Sequence, residues 1–220
     1  MDRLTGSGKA FDLHADEYDS WFESPKGKAL FKAEVESVRA LMGGLKPPFL
    51  EVGVGSGRFA EALGIEYGID PSAALLEKAR TRGIKVMQGK GEDLPYDPDY
   101  FGGVLLLFAL CFVDDAARVL AEARRVLKSD GGLIVGIINR QSPWGLLHSK
   151  KKSEGHPLYE HARFYSPDEV VGMLENCGMS VDSYSSTLLR APSDNPREEL
   201  VLKGLQERAG FICIYSRKRR

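Results

Sequence analysis

Phe49-Leu50-Glu51-Val52-Gly53-Val54-Gly55-Ser56-Gly57-Arg58-Phe59 is the stretch on which the reading of this chain turns. Its apolar start, with one acid at Glu51, reads as a short buried strand. Glycines follow at the alternate positions 53, 55 and 57, and Arg58-Phe59-Ala60-Glu61-Ala62-Leu63 then has the composition of a helix. A strand that passes through a glycine-rich turn into a helix makes a ligand cradle. Glycine allows positive φ and has no Cβ to hold a ligand off the backbone. The first amides of the helix have no partner within it and face whatever the turn holds.

The dinucleotide fingerprint G-x-G-x-x-G carries an acid about 20 residues further on for a ribose hydroxyl. Here the spacing is G-x-G-x-G and an acid precedes the glycines. The next acid arrives sooner, at Asp70 in Tyr67-Gly68-Ile69-Asp70-Pro71-Ser72. A glycine cluster alone is often only a tight turn. A buried acid before it and a second strand ending in Asp-Pro-Ser after it make a binding site the stronger reading.

Outward from this stretch the pattern alternates. Strands at 66–69, 84–88, 103–107 and 133–138 are separated by helices at 72–82, with Ser72 as N-cap and Gly83 as its stop, and at 114–127. Lys128-Ser129-Asp130-Gly131-Gly132 reads as the end of the second of these helices. The wholly apolar 103–107 fits a parallel strand buried on both faces. Alternation at this spacing predicts a parallel sheet covered on both sides, with right-handed crossovers. Residues 139–164 break the rhythm: they are polar and hold Trp144 and three of the four histidines. A capped helix then starts at Ser166-Pro167-Asp168-Glu169 and runs to about 176. Strands at 179–184 and 210–215 follow, with a short loop at 192–199 that suggests an antiparallel hairpin.

Upstream, 28–42 reads as an amphipathic helix stopped by Gly43-Gly44. Phe11, Tyr18, Trp21 and Phe22 recur at helical spacing, and residues 1–9 read as disordered. The aromatic face is either a packing surface or a lid, and the sequence leaves both open.

A chain of 220 residues with 43% hydrophobic content fits one domain with a filled core. The net charge of −1 gives no global field to recruit nucleic acid. The basic run 216–220 reads as a solvated tail. Cys111, Cys177 and Cys213 are far apart and fit reduced thiols. Residues 1–9 lack an apolar leader, and the apolar run 104–113 is too short to span a bilayer, so a cytoplasmic chain with no membrane span is expected.

Glu51-x-Gly53-x-Gly55-x-Gly57 followed by Gly68-Ile69-Asp70-Pro71-Ser72 resembles the first motifs of class I S-adenosylmethionine-dependent methyltransferases. The resemblance is to their small-molecule branch, which includes quinone-biosynthesis methyltransferases; it runs from about Phe11 to Tyr215 and is sharpest between Phe49 and Ile138. It implies one Rossmann-like α/β domain, a mostly parallel seven-stranded sheet with helices on both faces and an antiparallel last strand. Residues 1–42 would form a helical lid segment, 43–138 the cofactor core, and 139–165 and 186–208 the substrate-side insertions. S-adenosylmethionine is the implied cofactor and a small-molecule methyl acceptor the implied partner.

The resemblance places cofactor contacts at Tyr18, Glu51, Gly53, Val54, Gly55, Ser56, Asp70, Pro71, Lys90, Gly91, Glu92, Leu107 and Phe108. Asp70 would accept from both ribose hydroxyls, the glycines would admit the amino-acid end, and Glu51 would favour its cationic side. Gly89-Lys90-Gly91-Glu92-Asp93-Leu94-Pro95 looks like the family's adenine loop, but Lys90 stands where an acid usually accepts the adenine amino group. A lysine cannot accept a hydrogen bond, so the backbone of Gly91 and Glu92 would do that work. Phe101-Gly102 also departs from the usual Phe-Asp, and Cys111-Phe112 replaces a His-His pair.

No residue is therefore an obvious base. His148, His156, His161, Arg163 and Tyr165 are the candidates for base or substrate anchor, each weighed against being an ordinary loop residue. The three histidines 148, 156 and 161 match no familiar ligand spacing, so no metal is expected. The Asn/Asp-Pro-Pro-Tyr and Pro-Cys signatures of nucleobase methylation are missing. Two alternatives stand beside the methyltransferase: a non-catalytic protein that keeps the cofactor fold, and a nicotinamide-dependent oxidoreductase, against which the glycine spacing argues.

Overall fold

The structure, a computed structural model, describes residues 6–193 and 199–219. Among them, eight strands form one sheet: β1 (Phe49–Val52), β2 (Tyr67–Asp70), β3 (Lys85–Gln88), β4 (Phe101–Leu107), β5 (Leu127–Ile138), β6 (Met179–Thr187), β7 (Leu202–Lys203) and β8 (Phe211–Lys218). Their order is β3-β2-β1-β4-β5-β8-β6-β7. The first five pair in parallel, β8 runs antiparallel to β5 and β6, and β7 is antiparallel to β6. The fold is the single Rossmann-like α/β domain expected, with one strand more than the seven predicted. The extra strand is the two-residue β7, too short to leave an alternation in the sequence.

Among the described residues eight helices surround the sheet: α1 (Gly6–Leu13), α2 (Ala15–Trp21), α3 (Pro25–Arg39), α4 (Arg58–Leu63), α5 (Ala73–Thr81), α6 (Ala116–Val126), α7 (Pro143–Ser153) and α8 (Pro167–Asn176). The central strand shows why both faces are covered. Val104 and Leu106 of β4 pack with Val119, Leu120 and Leu174 from α6 and α8. Leu105 and Leu107 point the other way, to Leu30, Val38, Phe59 and Leu76 from α3, α4 and α5. The period of two that buries alternate residues on opposite sides gives the three-layer sandwich. Gly102 answers one departure from the family pattern: a Cβ there would lie 1.7 Å from the Lys46 carbonyl oxygen, so no aspartate fits.

Several boundaries differ from expectation. Residues 6–9 belong to α1 rather than to a disordered tail; residues 1–5 lie outside the described residues. The aromatic stretch 11–22 is broken at His14 into two helices. Lys128 to Gly132 is not a helix stop but the start of β5, with Leu127 paired to Phe101. Inside the polar stretch after β5, Ser142 accepts a hydrogen bond from the Gly145 amide and Pro143 stands at N1, which starts α7. Arg217 and Lys218 are part of β8, paired with Asp182 and Asp99, and not a solvated tail; Arg220 lies outside the described residues. The 192–199 loop is described only at 192–193 and 199.

Candidate functional site

The turn between β1 and α4 is built as its glycines require. Gly53, Gly55 and Gly57 have φ of 78°, 52° and 81°. A Cβ would lie 2.5 Å from the Ala109 Cβ at Gly53 and 2.9 Å from the Ala79 Cβ at Gly57. The Gly53 and Val54 amides donate to the Ile69 carbonyl, at 2.8 and 3.1 Å, which fastens the turn to β2. At the end of β2, Asp70 Oδ2 accepts from the Gly55 amide and Oδ1 from the Ser72 amide, both at 2.9 Å. Burial raises the Asp70 carboxyl to about 6; those two amides oppose the rise, and the charge of Asp12 adds to it. Glu51 is 2% exposed and its Oε2 has no hydrogen-bond partner. Burial, then the nearby Asp70 charge, push it well above the usual carboxylate range, against a bond from the Ala60 backbone.

Beyond the carboxyl ends of β1, β2, β4 and β5 lies a cavity of about 400 Å³, a size that suits a cofactor-sized ligand. Among the predicted cofactor residues, Tyr18, Gly53, Gly55, Asp70 and Pro71 line it, as do Lys90, Gly91, Glu92, Leu107 and Phe108. Glu51, Val54 and Ser56 do not: they sit behind the turn, with the Val54 methyls against Gly68 and the Ser56 carbonyl held by Arg82. Lys90 Nζ lies 3.5 Å from Asp114 Oδ2, and Glu92 Oε1 accepts from the Asp114 and Asp115 amides, so this loop is braced against the start of α6. Phe108 lies at φ 59° and stacks on Phe211 with 4.6 Å between ring centroids. Leu188, at φ 57°, lines the cavity too. Positive φ at bulky residues is costly and concentrates at functional sites.

Toward α3 and α7 the lining changes. Glu34, Trp144, His148, Lys151, Tyr159 and Leu188 line this part. Glu34 is 6% exposed, and burial alone raises its carboxyl to about 8, with no partner charge or hydrogen bond opposing it. His148 Nδ1 is buried without a partner; burial, then Lys151 and His156, lower the imidazole to about 4, so it is neutral at neutral pH. Its ring stands edge-on to Tyr159 at 4.8 Å. His148 and His156 are the candidates that reach the cavity; His161 does not line it. Arg163 lies over the Tyr165 ring at 5.2 Å, and neither side chain lines the cavity; Tyr165 packs in the core. Glu34 escaped the sequence reading, although its position carried a signal. It stands midway between Leu30 and Val38 on the buried face of α3, an acid in an apolar stripe.

The first two helices close over the glycine turn. Phe11, Tyr18, Trp21 and Phe22 all line the cavity. Asp12 Oδ1 accepts from the Ser72 hydroxyl and the Ala74 amide at the start of α5. Asp19 is gripped by Arg58 and Arg82, at 2.8 and 3.0 Å. Burial alone would raise the Asp19 carboxyl; hydrogen bonds from Arg58, Ser56 and Arg82 hold it far below the usual range.

Residues 50–135 match the family described as "Methyltransferase domain". A crystal structure from Thermotoga maritima, a SAM-dependent methyltransferase and possible histamine N-methyltransferase, is 35% identical with a TM-score of 0.89, over 97% of this chain and all of that one. The chain belongs to the S-adenosylmethionine-dependent methyltransferases. This methyltransferase is also 36% identical over 208 residues to a Methanocaldococcus jannaschii protein, covering 94% of its own length and 98% of the relative's. The Bacillus subtilis demethylmenaquinone methyltransferase is 28% identical over 60% of this chain and 65% of that protein.

S-adenosylmethionine is the cofactor, and the site fits it. Asp70 is a carboxylate fixed by two amides at a cavity wall, the glycines bring bare backbone to the same wall, and an orphaned carboxylate oxygen on Glu51 lies behind them. When bound, the cofactor supplies an electrophilic methyl group on a positively charged sulfur. Neither the oxidoreductase nor the non-catalytic reading is favoured. No helix among the described residues is long and apolar enough to cross a membrane.

Proposed function

We propose that this methyltransferase works in the cytoplasm on a small-molecule acceptor, with donor and acceptor side by side in one cavity. The donor lies along the Gly53–Gly57 turn, its ribose hydroxyls on Asp70 and its adenine against the Gly89–Leu94 loop. The acceptor lies toward α3 and α7, between Glu34, His148 and Tyr159. The observation that carries this reading is the Asp70 carboxylate, oriented by the Gly55 and Ser72 amides and facing the cavity. Three free cysteines support the cytoplasmic placement.

Transfer from a sulfonium is an in-line displacement with the leaving group already in place. Holding the two reactants aligned supplies roughly 7–11 kcal/mol of the acceleration. The walls that exclude water here are aromatic, from Phe11, Tyr18, Phe59 and Phe112. Tyr18 stands between the two halves: burial and the charges of Asp70, Glu51 and Glu34 all push its phenol up, so it stays a neutral hydroxyl. Calorimetry with S-adenosylmethionine and S-adenosylhomocysteine tests the donor half. A methyl-transfer screen over a metabolite panel, read as S-adenosylhomocysteine formed, tests the rest. Failure of the protein to bind either sulfur compound overturns the reading.

A further inference from the structure

The acid on α3 has no task in holding the fold. Glu34 is buried on a helix face that otherwise presents Leu30, Ala33, Ser37 and Val38, and it lines the cavity. Ser37, one turn on, is satisfied by the Ser185 hydroxyl at 2.7 Å, whereas no hydrogen bond or opposite charge contributes at Glu34. A buried carboxyl without a partner is costly to keep unless something completes it. Its charge is felt by Tyr18, Tyr159 and Cys213, while Asp70 and Glu51 do not register it, so it belongs to the end of the cavity away from the ribose acid.

We propose that Glu34 is the acceptor-binding carboxylate of this methyltransferase, and that the acceptor is a small amine whose flat apolar body rests on the Tyr18, Phe112, Trp144 and Tyr159 rings. This rests on the methyltransferase reading and names the substrate class for it. A cationic nitrogen suits both parts of the surroundings, the unpaired acid by charge and the ring faces by their quadrupoles. An anionic acceptor would keep Glu34 in its neutral form and gain no ion pair from it.

The chemistry balances on this residue. Glu34, protonated in the free protein near pH 7, loses its proton to solvent as the ammonium binds; the bound ammonium then gives one proton to a Glu34 oxygen, which frees the nitrogen lone pair. That pair forms the new N–C bond as the C–S bond breaks and its electrons go to sulfur. Product and S-adenosylhomocysteine leave, and Glu34 is left protonated as in the free protein, the one proton of the overall reaction having gone to solvent on binding. The groups that share this end of the cavity are Lys26 from α3 itself, Glu17 and Tyr18 from α2, His148 and Lys151 from α7, and His156 and Tyr159 from the segment after it; Cys213 of β8 lies buried beneath. Lys151 is held over the Tyr159 ring at 5.7 Å. His148, lowered to about 4, is too weak a base to hold the amine's proton, which leaves Glu34 as the proton acceptor facing the amine.

The test is calorimetry on the full chain saturated with S-adenosylhomocysteine, using 2-phenylethylamine, 2-phenylethanol and phenylacetate as probes. The amine is expected to bind at least about tenfold more tightly than the alcohol or the acid, the usual value of a hydrogen bond to a charged partner. Glu34→Gln abolishes that preference and keeps S-adenosylhomocysteine binding. Repeated in buffers of different ionisation enthalpy, amine binding near pH 7 releases close to one proton in the wild type and none in Glu34→Gln. The release shrinks as pH rises through about 8. This second readout needs only the wild-type protein, so a folding defect in the variant cannot mask the answer. Equal binding of the three probes, preference for the acid, no amine binding at millimolar concentration, or unchanged preference in Glu34→Gln overturns the proposal. Failure to bind S-adenosylhomocysteine at all overturns the methyltransferase reading instead.

Discussion

The two ends of the cavity hold their acids in opposite ways. At the β1–β2 end, Asp70 is buried yet braced by the Gly55 and Ser72 amides, and its surroundings are one strand–turn–helix unit and the next strand. At the α3–α7 end, Glu34 is equally buried and nothing braces it. Its neighbours Tyr18, Tyr159 and Cys213 come from α2, the segment after α7 and β8, far apart in the chain. The contrast teaches that the first end is finished without a ligand, whereas the second is left incomplete. A pre-organised end suits a donor that is the same in every turnover. An end with an unsatisfied acid suits the group that determines which acceptor is taken.

The sharpest way to break this comparison is at Asp70. Asp70→Ala removes the two ribose bonds proposed for this residue and the brace on the turn. S-adenosylhomocysteine affinity should fall on the order of a hundredfold or more, since hydrogen bonds to a charged acceptor contribute about 1.5–3 kcal/mol each. Asp70→Asn, which keeps the shape but loses the charge, should lose less. Calorimetry decides it; equal affinity in Asp70→Ala and wild type would place the ribose elsewhere. A pH series tests the same end without a mutation. The Asp70 carboxyl in the free protein lies at about 6, so its accepting form is lost below that pH. S-adenosylhomocysteine affinity should weaken by up to about tenfold per pH unit below 6 and stay flat above it. A profile flat from pH 7 down to 5 contradicts the assignment.

The same contrast explains what could be read from the sequence. Gly53, Gly55, Gly57, Asp70 and Ser72 were legible because their roles are local: the glycines serve one turn, and Ser72 caps the helix that starts beside it. The parallel strands were legible for the same reason, as apolar runs between turn signals. The α3–α7 end was not. Trp144, Tyr159 and Leu188 reach the cavity only after α7 packs, with Trp144 Nε1 donating to the Arg190 carbonyl across the gap between two distant segments. Arg163 and Tyr165 shared the histidine-rich stretch with His148, but the chain turns their side chains away from the cavity. Spacing along a chain fixes neighbours within a turn or a strand. It says little about which of several loop residues will face a cavity formed by elements a hundred residues apart.

A smaller effect is expected where the roof meets the turn. Asp19 links α2 to Arg58 on α4 and to Arg82 after α5, with about 15% of each side chain exposed. Asp19→Asn removes the anion that Arg58 and Arg82 share, leaving Arg58 to Glu23 and Arg82 to Glu61, and should cost about 1–2 kcal/mol of stability. Hydrogen exchange should rise in α1 and α2, and S-adenosylhomocysteine should bind a few-fold more weakly. The folded Asp19 carboxyl lies below its unfolded value, so its contribution is present above about pH 4 and is lost as pH falls toward the folded value. Wild type and Asp19→Asn should therefore converge in Tm as acid is added. Faster exchange spread evenly over the sheet, and not confined to the first two helices, would mean that the clamp supports the whole domain and not a lid.

The finest test compares the two acids by what each does to stability. Glu34 ionises near pH 4.3 in an unfolded chain and near 8 in the folded protein. Between these values the folded state binds the extra proton, so the stability Glu34 contributes is complete below about pH 4 and is lost as pH rises through 8. Replacing it with glutamine, neutral at every pH and similar in shape, removes that loss. The Glu34→Gln variant should match the wild type near pH 5 and exceed it at pH 8.5, by about 1–3 kcal/mol, read as a higher Tm. Asp70→Asn should instead lower Tm near pH 5, because an amide oxygen cannot serve both the Gly55 and Ser72 amides as the carboxyl does; since burial raises the Asp70 carboxyl to about 6, that deficit should shrink as pH rises. A residue whose removal stabilises the fold is retained for something other than folding. If Glu34→Gln instead lowers Tm at both pH values, Glu34 is part of the packing, and the two ends of the cavity are not opposites after all.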